Sequence, residues 1–370
     1  MSPESALAGK PTTTRRRFYV APLDGMRAIA IAGVFALHLR QPVFPGGAFG
    51  VDVFFVLSAY LITTILLREK RDHSRVNFGA FYWRRAIRLG PALLLWLVLV
   101  ATPTAVLEHA GSKIPWSTAG VLFYFSDFLE AWSRHVGGAY IQSWSLAVEE
   151  QFYLVWPLLL VLLATYLRPV AQRYAVAGLV AGSIVIRIVV PNYFLPTGHL
   201  AALAMGCWAA FYAIDIQRGW FATLIRDTRL AIACVAVFVV ATFVVPTGRL
   251  GIGRELLVDL AAMLLTLHCT FTSGSVVSRA LGSNVPRWIG ERSYGMYLYG
   301  ITILGLVPAV THLSLRYAGP IDILLTGVIA AASYRYVEAP LRAHGRLMLA
   351  RRAERRLPEV GLPVLGVQGE

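Results

Sequence analysis

Ten long apolar runs, separated by polar segments, constrain this chain more than any other feature of its sequence. An α-helix needs about 20 such residues to cross the hydrocarbon core of a bilayer. With 57% hydrophobic and 15% charged residues, the chain also lacks the polar surface that a soluble fold of its size needs. It predicts an all-α membrane protein with about ten transmembrane helices in one bundle. The runs cover residues 22–41, 49–67, 89–108, 144–167, 174–190, 198–215, 230–246, 255–272, 293–311 and 320–337.

The distribution of basic residues predicts how these helices are oriented. Cytoplasmic segments of membrane proteins carry an excess of Lys and Arg. With both termini in the cytoplasm, and with Arg40 and Arg335 at the ends of their runs counted with the adjoining segments, 26 of the 34 Lys and Arg residues fall in inner segments and 6 in outer segments. Counting the short apolar stretch 117–132 as an eleventh span gives 15 inside and 17 outside. We therefore expect both termini in the cytoplasm, and a long outer segment near 109–143 that holds a re-entrant or interfacial helix.

This topology accounts for most of the net charge of +14. A basic chain can bind nucleic acid or an anionic membrane surface. Because the basic residues lie between apolar runs here, we expect the lipid bilayer as the partner and not nucleic acid. We expect a basic cytoplasmic segment at 1–21, the ten-helix bundle at 22–340 and a basic cytoplasmic tail at 341–370. The three cysteines lie far apart without metal-ligand spacing, so neither a disulfide framework nor a metal site is predicted.

The first helix carries two ionisable residues, Arg27 and His38, at depths where charge is expensive and is a functional candidate by default. Eleven residues make close to three helical turns, so both side chains lie on one stripe about 16 Å apart along the axis. Because its ordinary pKa is near 6.5, a histidine can act as a general base toward a hydroxyl. The alternative is a structural histidine that bonds between helices or reaches the outer interface.

A basic aromatic cluster, Tyr82-Trp83-Arg84-Arg85-Ala86-Ile87-Arg88, precedes the third span. Arg85 and Arg88 are three residues apart, and Arg84 and Arg88 are four apart, so these guanidinium groups share a face at the cytoplasmic boundary. Such a face can hold phosphates through bidentate hydrogen bonds. A basic belt that only anchors the helix at the membrane surface is the alternative.

The fourth span opens with polar residues at helical spacing. Ser145, Glu149 and Tyr153 recur every four residues, so a hydroxyl, a carboxylate and a phenol lie on one face. Glu149 can orient a histidine or hold an acceptor hydroxyl. The alternative is a structural ion pair, with Arg134 or Arg187 as the partner.

Weaker signals lie elsewhere in the chain. Asp52 is placed to cap the outer start of the second helix. His199 and Asp322 lie near the ends of spans, where we expect them to meet headgroup water.

Six motifs taken together resemble the acyltransferase 3 family of membrane O-acyltransferases, and the resemblance covers nearly the whole chain. It implies a ten-helix bundle that moves an acyl group from cytoplasmic acyl-CoA to a hydroxyl, typically of a carbohydrate. It also implies that Arg27 and His38 are essential. The motifs are Leu23-Asp24-Gly25-Met26-Arg27 continuing to His38, GVDVFFVLS at 50–58, Arg85-x-x-Arg88, SWSLAVEEQFY at 143–153, SYGMYL at 293–298 and YRYVEAP at 334–340.

Three departures from the family pattern stand out. The usual Ser-Gly pair is Ser58-Ala59 here, and Gly300 stands where a second histidine is often found. The hydrolase-like domain that is fused to some members is not expected in this chain.

The resemblance and the residues together predict the roles of the site. We expect His38 to take the proton of the acceptor hydroxyl and Glu149 to orient His38 or the acceptor. Arg85 and Arg88, with Arg84, are expected to bind the phosphates of the acyl donor, and Arg27 to bind phosphate or a developing oxyanion. Direct transfer is the default mechanism, and a transient acyl group on Tyr153 is the alternative.

The predicted function is therefore O-acylation in the bacterial plasma membrane. Acyl-CoA, most simply acetyl-CoA, is the donor substrate, and no permanently bound cofactor is expected. The acceptor is a cell-envelope glycan or a glycosylated natural product. The competing class is a transporter or flippase of a glycan or another anionic small molecule; the sequence shows no paired Gly/Pro-broken spans that would favour it.

Overall fold

The computed structural model describes residues 19–354, apart from 40–42, 108, 110, 133–137, 216–218, 245–247 and 313–314. The described residues form helices and short connections, with no β-strand among them. The predicted all-α class is therefore confirmed. The longer helices are α1 (Ala21–Leu39), α2 (Phe49–His73), α3 (Phe78–Leu107), α4 (Ile114–Leu122), α5 (Ser126–Ala131), α6 (Ser143–Tyr166), α7 (Pro169–Val189), α8 (Leu200–Asp215), α9 (Trp220–Arg226), α10 (Thr228–Thr242), α11 (Gly248–Phe271), α12 (Val276–Leu281), α13 (Asn284–Thr311), α14 (Leu315–Ser333) and α15 (Ala339–Glu354).

Each of the ten predicted apolar runs coincides with one of these helices. Within the described residues, six helical stretches are long and apolar enough to cross a membrane, which indicates a multi-pass membrane protein. Ten spans and cytoplasmic termini stay predictions. The six stretches are Ala21–Leu39, Pro45–His73, Phe78–Leu107, Gly138–Tyr166, Pro169–Val189 and Tyr317–Leu349.

The third helix begins well before the apolar run that predicted it. The side chain of Asn77 caps α3 by accepting a hydrogen bond from the backbone N–H of Ala80 at 2.9 Å. The basic cluster 84–88 therefore lies inside α3, two turns from its start, rather than in a segment that precedes it. This placement brings Arg85 and Arg88 to the lining of a cavity between the helices.

Helices α4 and α5 form a short helical hairpin between α3 and α6. The chain reverses at Tyr124, which has a left-handed backbone with φ of 55°. From the third turn of α6, the Gln151 side-chain amide donates to the carbonyl oxygen of Tyr124 and to Oδ1 of Asp127, both at 2.9 Å. The hairpin is thereby fixed against α6; its place on the outer side stays a prediction.

Two residues expected to meet headgroup water are buried, and the proposed cap is wrong. His199 is 2% exposed and Asp322 is fully buried. Asp52 lies in the first turn of α2 but does not cap it; its Oδ1 accepts a hydrogen bond from Nδ1 of His199 at 2.7 Å. The two residues are 147 positions apart, so no local pattern could pair them. Packing of α2 on α8 brings them together.

Helix α1 packs closely on α13, and one glycine sets how closely. A Cβ atom built on Gly290 would lie 1.8 Å from the backbone oxygen of Asp24, which no side-chain movement can relieve. Small residues are how membrane helices approach one another in this way.

We expect Gly290→Ala to destabilise the protein by about 3 kcal/mol or more, because the backbones of α1 and α13 must separate. Thermal unfolding in detergent, followed by tryptophan fluorescence, measures the change. Gly178→Ala on α7 is the matched control, since its Cβ would meet no atom within 4 Å. That control should be neutral or slightly stabilising. Equal melting temperatures for the two variants would contradict the close packing of α1 on α13.

Candidate functional site

The stripe on α1 joins two cavities. Arg27 lines a cavity of about 130 Å³, and His38 lines a second cavity of about 530 Å³. Val51 of α2 and Tyr297 of α13 line both cavities, so the two spaces share a wall. The first is called the arginine cavity, after Arg27, Arg85 and Arg88 in its lining, and the second is called the aromatic cavity.

Arg85 is the neutralised cation of the arginine cavity. Its Nε donates to Oε1 of Glu150 at 2.9 Å, and its guanidinium also lies 3.9 Å from the carboxylate of Glu149. The guanidinium carbon lies 3.0 Å from the centre of the Tyr153 ring. Two carboxylates and an aromatic face therefore hold this side chain in place.

Arg88 is the uncompensated cation of the same cavity. Within the described part of the chain it has no ion pair or hydrogen-bonded partner, and its side chain is exposed to the space that it lines. The charges of Arg27, Arg85 and Arg342 repel it, whereas Glu149 and Glu150 act on it only from beyond ion-pair distance. Arg27 is itself paired with Asp24, one turn before it on α1. A cavity with a free guanidinium among further arginines is suited to an anion.

Arg84 lies apart from the other two arginines. It is 3.3 Å from the carboxylate of Glu69, its side chain is 44% exposed, and it is absent from the lining of the arginine cavity. The helical face predicted to carry Arg84, Arg85 and Arg88 together is thus divided. Arg84 bonds at the surface, while the other two point inward.

The polar face of α6 lies in the arginine cavity. Ser145, Glu149 and Tyr153 all line it, as their spacing predicts. The Tyr153 hydroxyl is hydrogen-bonded to Ser58 of α2. Glu149 shares Arg85 with Glu150 rather than pairing with Arg187, which is bonded to Glu255, and Arg134 lies outside the described residues. Glu149 is absent from the lining of the aromatic cavity, which holds His38.

His38 is held in one tautomer by its own helix. Its Nδ1 lies 2.8 Å from the carbonyl oxygen of Val34. Because a carbonyl oxygen only accepts, Nδ1 carries the hydrogen, and Nε2 keeps its lone pair. A histidine in this state can take a proton through Nε2.

Several residues of the site have no signal in the sequence pattern. Gln142, Tyr193, Phe194 and Glu255 line the aromatic cavity, but they lie on three segments that are far apart in the sequence. Buried His199 is hydrogen-bonded to Asp52 through Nδ1 and to the carbonyl oxygen of Tyr193 through Nε2, at 2.7 Å and 2.8 Å. An unusually polar residue such as Glu255 at the start of an apolar run is the one clue available from sequence.

The burial of Asp127, in the hairpin against α6, has a testable consequence for the pH dependence of stability. Burial of the carboxylate raises the pKa of Asp127 to about 6, and the hydrogen bond that Gln151 donates to Oδ1 offsets only part of this rise. The folded state thus favours the protonated carboxyl of Asp127. The stability that this carboxyl contributes is fully present below about pH 4, near its pKa in the unfolded chain, and is lost as the pH rises through about 6, its pKa in the folded protein.

We expect Asp127→Asn to raise the melting temperature by about 2 °C at pH 7.5 and to have little effect at pH 4. Thermal unfolding in detergent at the two pH values measures this difference. A gain of equal size at both pH values would show that the ionised carboxylate is not the source of the effect.

The comparisons with known proteins agree with this geometry. The family described as an acyltransferase domain, acyltransferase 3, matches residues 20–332. Peptidoglycan O-acetyltransferase OatA of Listeria monocytogenes serovar 1/2a is 31% identical over 365 residues, covering 91% of this chain and 58% of that protein. O-acetyltransferase OatA of Staphylococcus aureus strain NCTC 8325 is 29% identical over 366 residues, covering 88% of this chain and 58% of that protein. No solved structure gives a significant match.

The chain thus spans somewhat more than half the length of these curated relatives. The matched region includes α1, with Arg27 and His38, and α3, with Arg85 and Arg88. It also includes α6 and α13, which complete the arginine cavity. Because the match covers most of the bundle and both cavities, the chain belongs to the acyltransferase 3 family.

Proposed function

We propose that this protein is a membrane O-acyltransferase that moves an acyl group from acyl-CoA to a hydroxyl of a carbohydrate-type acceptor. The observation that carries the proposal is the free guanidinium of Arg88 in the arginine cavity. A transferase without a polyphosphate donor has no need to hold an unpaired cation among three other arginines. The family and its O-acetyltransferase relatives support the reaction class and favour an acetyl group.

The arginine cavity fits the two chemical parts of acyl-CoA. Arg88 is free to bind a phosphate, and Arg27 can join it by exchanging Asp24 for the ligand. Apolar side chains of α2, among them Leu61, Ile62 and Ile65, line the same space and suit the long thin arm that ends in the thioester. Arg85 serves in this arrangement by positioning Glu149, Glu150 and Tyr153.

The chemical step that we propose uses His38 as the general base. Nε2 of His38 takes the proton of the acceptor hydroxyl, and the oxygen attacks the thioester carbonyl carbon. The tetrahedral intermediate then expels the CoA thiolate, which recovers the proton from the imidazolium. One bond forms between acyl carbon and acceptor oxygen, one carbon–sulfur bond breaks, and the histidine returns to its neutral state.

Direct transfer is the mechanism we propose, with an acyl-Tyr153 intermediate as the alternative. The Tyr153 phenol lies in the arginine cavity and bonds to Ser58, so the thioester could reach it. Glu149 lies in that cavity and not in the one that His38 lines, so we propose that it holds Arg85 rather than orienting His38. Mass spectrometry of protein incubated with acetyl-CoA alone separates the two mechanisms, because an acyl-Tyr153 adds 42 Da to the peptide that contains it.

The location that we propose is the plasma membrane of a bacterium, with both termini in the cytoplasm. The arginine cavity then opens toward the cytoplasm, where acyl-CoA is made, and the aromatic cavity lies toward the outer side. A cell-envelope glycan fits this arrangement, since one relative is named a peptidoglycan O-acetyltransferase.

The proposal is tested by incubating purified protein with acetyl-CoA labelled in the acetyl group and a panel of oligosaccharides and glycosylated natural products. Label that appears in an ester on one of the acceptors is the expected result. A transporter or flippase would instead carry a glycan or another anionic solute into vesicles without forming a covalent product. Binding and uptake without any ester would overturn the proposed function.

A further inference from the structure

The aromatic cavity has features that are not needed merely to give a substrate access to His38. Trp144, Tyr193 and Phe194 line it. Their ring centres lie 5.0 to 5.7 Å apart in tilted or edge-to-face pairs. Its volume of about 530 Å³ lies in the range of small-molecule sites, which is about 300–1,000 Å³.

The aromatic wall is held rigidly from behind. The His199 ring lies 5.1 Å from the rings of both Trp144 and Tyr193. Its Nδ1 lies 2.7 Å from Oδ1 of Asp52, and its Nε2 lies 2.8 Å from the backbone oxygen of Tyr193, so both ring nitrogens are held by hydrogen bonds. His199 therefore fixes the segment that presents Tyr193 and Phe194 to the cavity.

Two polar groups in the lining are free to bind a ligand. Gln142 is 1% exposed, and its amide nitrogen donates to Leu298 and Thr302, but its Oε1 has no partner. Glu255 uses Oε2 for both of its hydrogen bonds with Arg187, and in the described part of the chain its Oε1 has none. A buried acceptor without a partner destabilises the protein, and a ligand hydroxyl that donates to it would remove this cost.

We propose that the aromatic cavity binds a pyranose ring of the acceptor glycan. The inference rests on the proposed function and names the acceptor site for it. The C–H face of a sugar ring is apolar and packs on aromatic faces, while its hydroxyls donate to Gln142 and Glu255. This combination of a rigid apolar wall with unpaired acceptors suits a sugar better than a purely apolar ligand, which would leave both acceptors unpaired.

The shared wall explains how a bound sugar would meet the acyl group. Val51 and Tyr297 separate the two cavities, and Tyr297 is fixed by hydrogen bonds to Ser145 Oγ at 2.6 Å and to the Gln142 carbonyl oxygen at 3.2 Å. A sugar in the aromatic cavity would have a hydroxyl beside His38. The acyl group would reach that hydroxyl past Tyr297 from the arginine cavity.

The test measures the KM for the acceptor and the affinity for acetyl-CoA separately, on the purified protein. The acceptor is an N-acetylglucosamine oligomer or another acceptor that the activity screen has shown to be used. Phe194→Leu should raise the acceptor KM about three- to tenfold while leaving the affinity for acetyl-CoA unchanged. Phe243→Leu is the matched control, because Phe243 is 56% exposed and outside the aromatic cavity. The control should leave both constants unchanged.

A second variant fills the cavity rather than removing a contact. Ala48 lies in its lining and is half-buried, so Ala48→Trp should occupy the space and abolish transfer to the sugar while acetyl-CoA still binds. Unchanged acceptor KM in both variants would overturn the inference and leave the proposed function standing. If the wild-type protein did not bind acetyl-CoA, by contrast, the proposed function itself would be overturned.

Discussion

Replacing His38 with alanine is expected to lower the acyl-transfer rate about 10²- to 10⁴-fold, the usual contribution of a general base. The reason is geometric: Nδ1 is occupied by the Val34 carbonyl, so Nε2 is the atom that can take the acceptor proton. Without it the hydroxyl must attack while still protonated. The rate is measured as labelled ester formed per molecule of folded protein.

Two controls separate a catalytic loss from a folding loss. His38→Ala should bind acetyl-CoA with wild-type affinity, because His38 is absent from the lining of the arginine cavity. His268→Ala removes a different histidine, which is buried, bonds to Ile225 and Ser275 and is absent from the linings of both cavities. That variant should melt earlier yet keep its rate per folded molecule. A His38→Ala protein with wild-type turnover would refute the assignment of the base.

The second large effect concerns Arg88. Arg88→Gln is expected to weaken acetyl-CoA binding about 10- to 150-fold, since a hydrogen bond to a charged group contributes about 1.5–3 kcal/mol. Its removal also ends the repulsion from Arg27, Arg85 and Arg342, so the melting temperature of the unliganded protein should not fall. Calorimetric titration with acetyl-CoA and thermal unfolding without ligand measure the two effects.

Arg84→Gln is the matched control for this variant, because it removes the same charge from the same helix. Arg84 bonds to Glu69 at the surface, so its loss should change acetyl-CoA affinity by less than about twofold. Equal weakening by the two variants would mean that affinity follows the general positive charge of α3. A fall in stability for Arg88→Gln would indicate a structural partner instead of a free cation.

The sequence could predict the helices because each apolar run reports on one helix at a time. The run that predicted α3 marks its uninterrupted apolar part, and it missed the start at Phe78 because the arginines at 84, 85 and 88 interrupt the apolar residues of the first half. The stripe from Arg27 to His38 and the face of Ser145, Glu149 and Tyr153 follow from helical periodicity in the same way.

The sequence could not predict which residue each charged side chain pairs with in the folded protein. Arg85 and Arg88 look equivalent along α3, yet the fold gives Arg85 two carboxylates from α6 and gives Arg88 no ion pair with any residue that the structure describes. The pairing of Asp52 with His199 depends likewise on the packing of α2 against α8. Such differences arise from contacts between distant segments, which periodicity does not encode.

The two cavities lie at different positions along α1. Arg27 lines the cavity in which we propose that the acyl donor binds, and His38 lines the cavity in which we propose that the acceptor binds. If the helix crosses the membrane as its apolar run predicts, donor and acceptor approach from opposite sides. The acyl group then crosses the bilayer within the bundle while CoA and glycan each stay on their own side.

Reconstitution into sealed proteoliposomes tests this central claim most directly. Labelled acetyl-CoA is added outside, and the acceptor oligosaccharide is either trapped inside or supplied outside together with the donor. The account predicts labelled ester on the trapped oligosaccharide without permeabilisation, and little label on the oligosaccharide outside. Label on the outer oligosaccharide alone, or on the trapped one only after detergent has opened the vesicles, would contradict it.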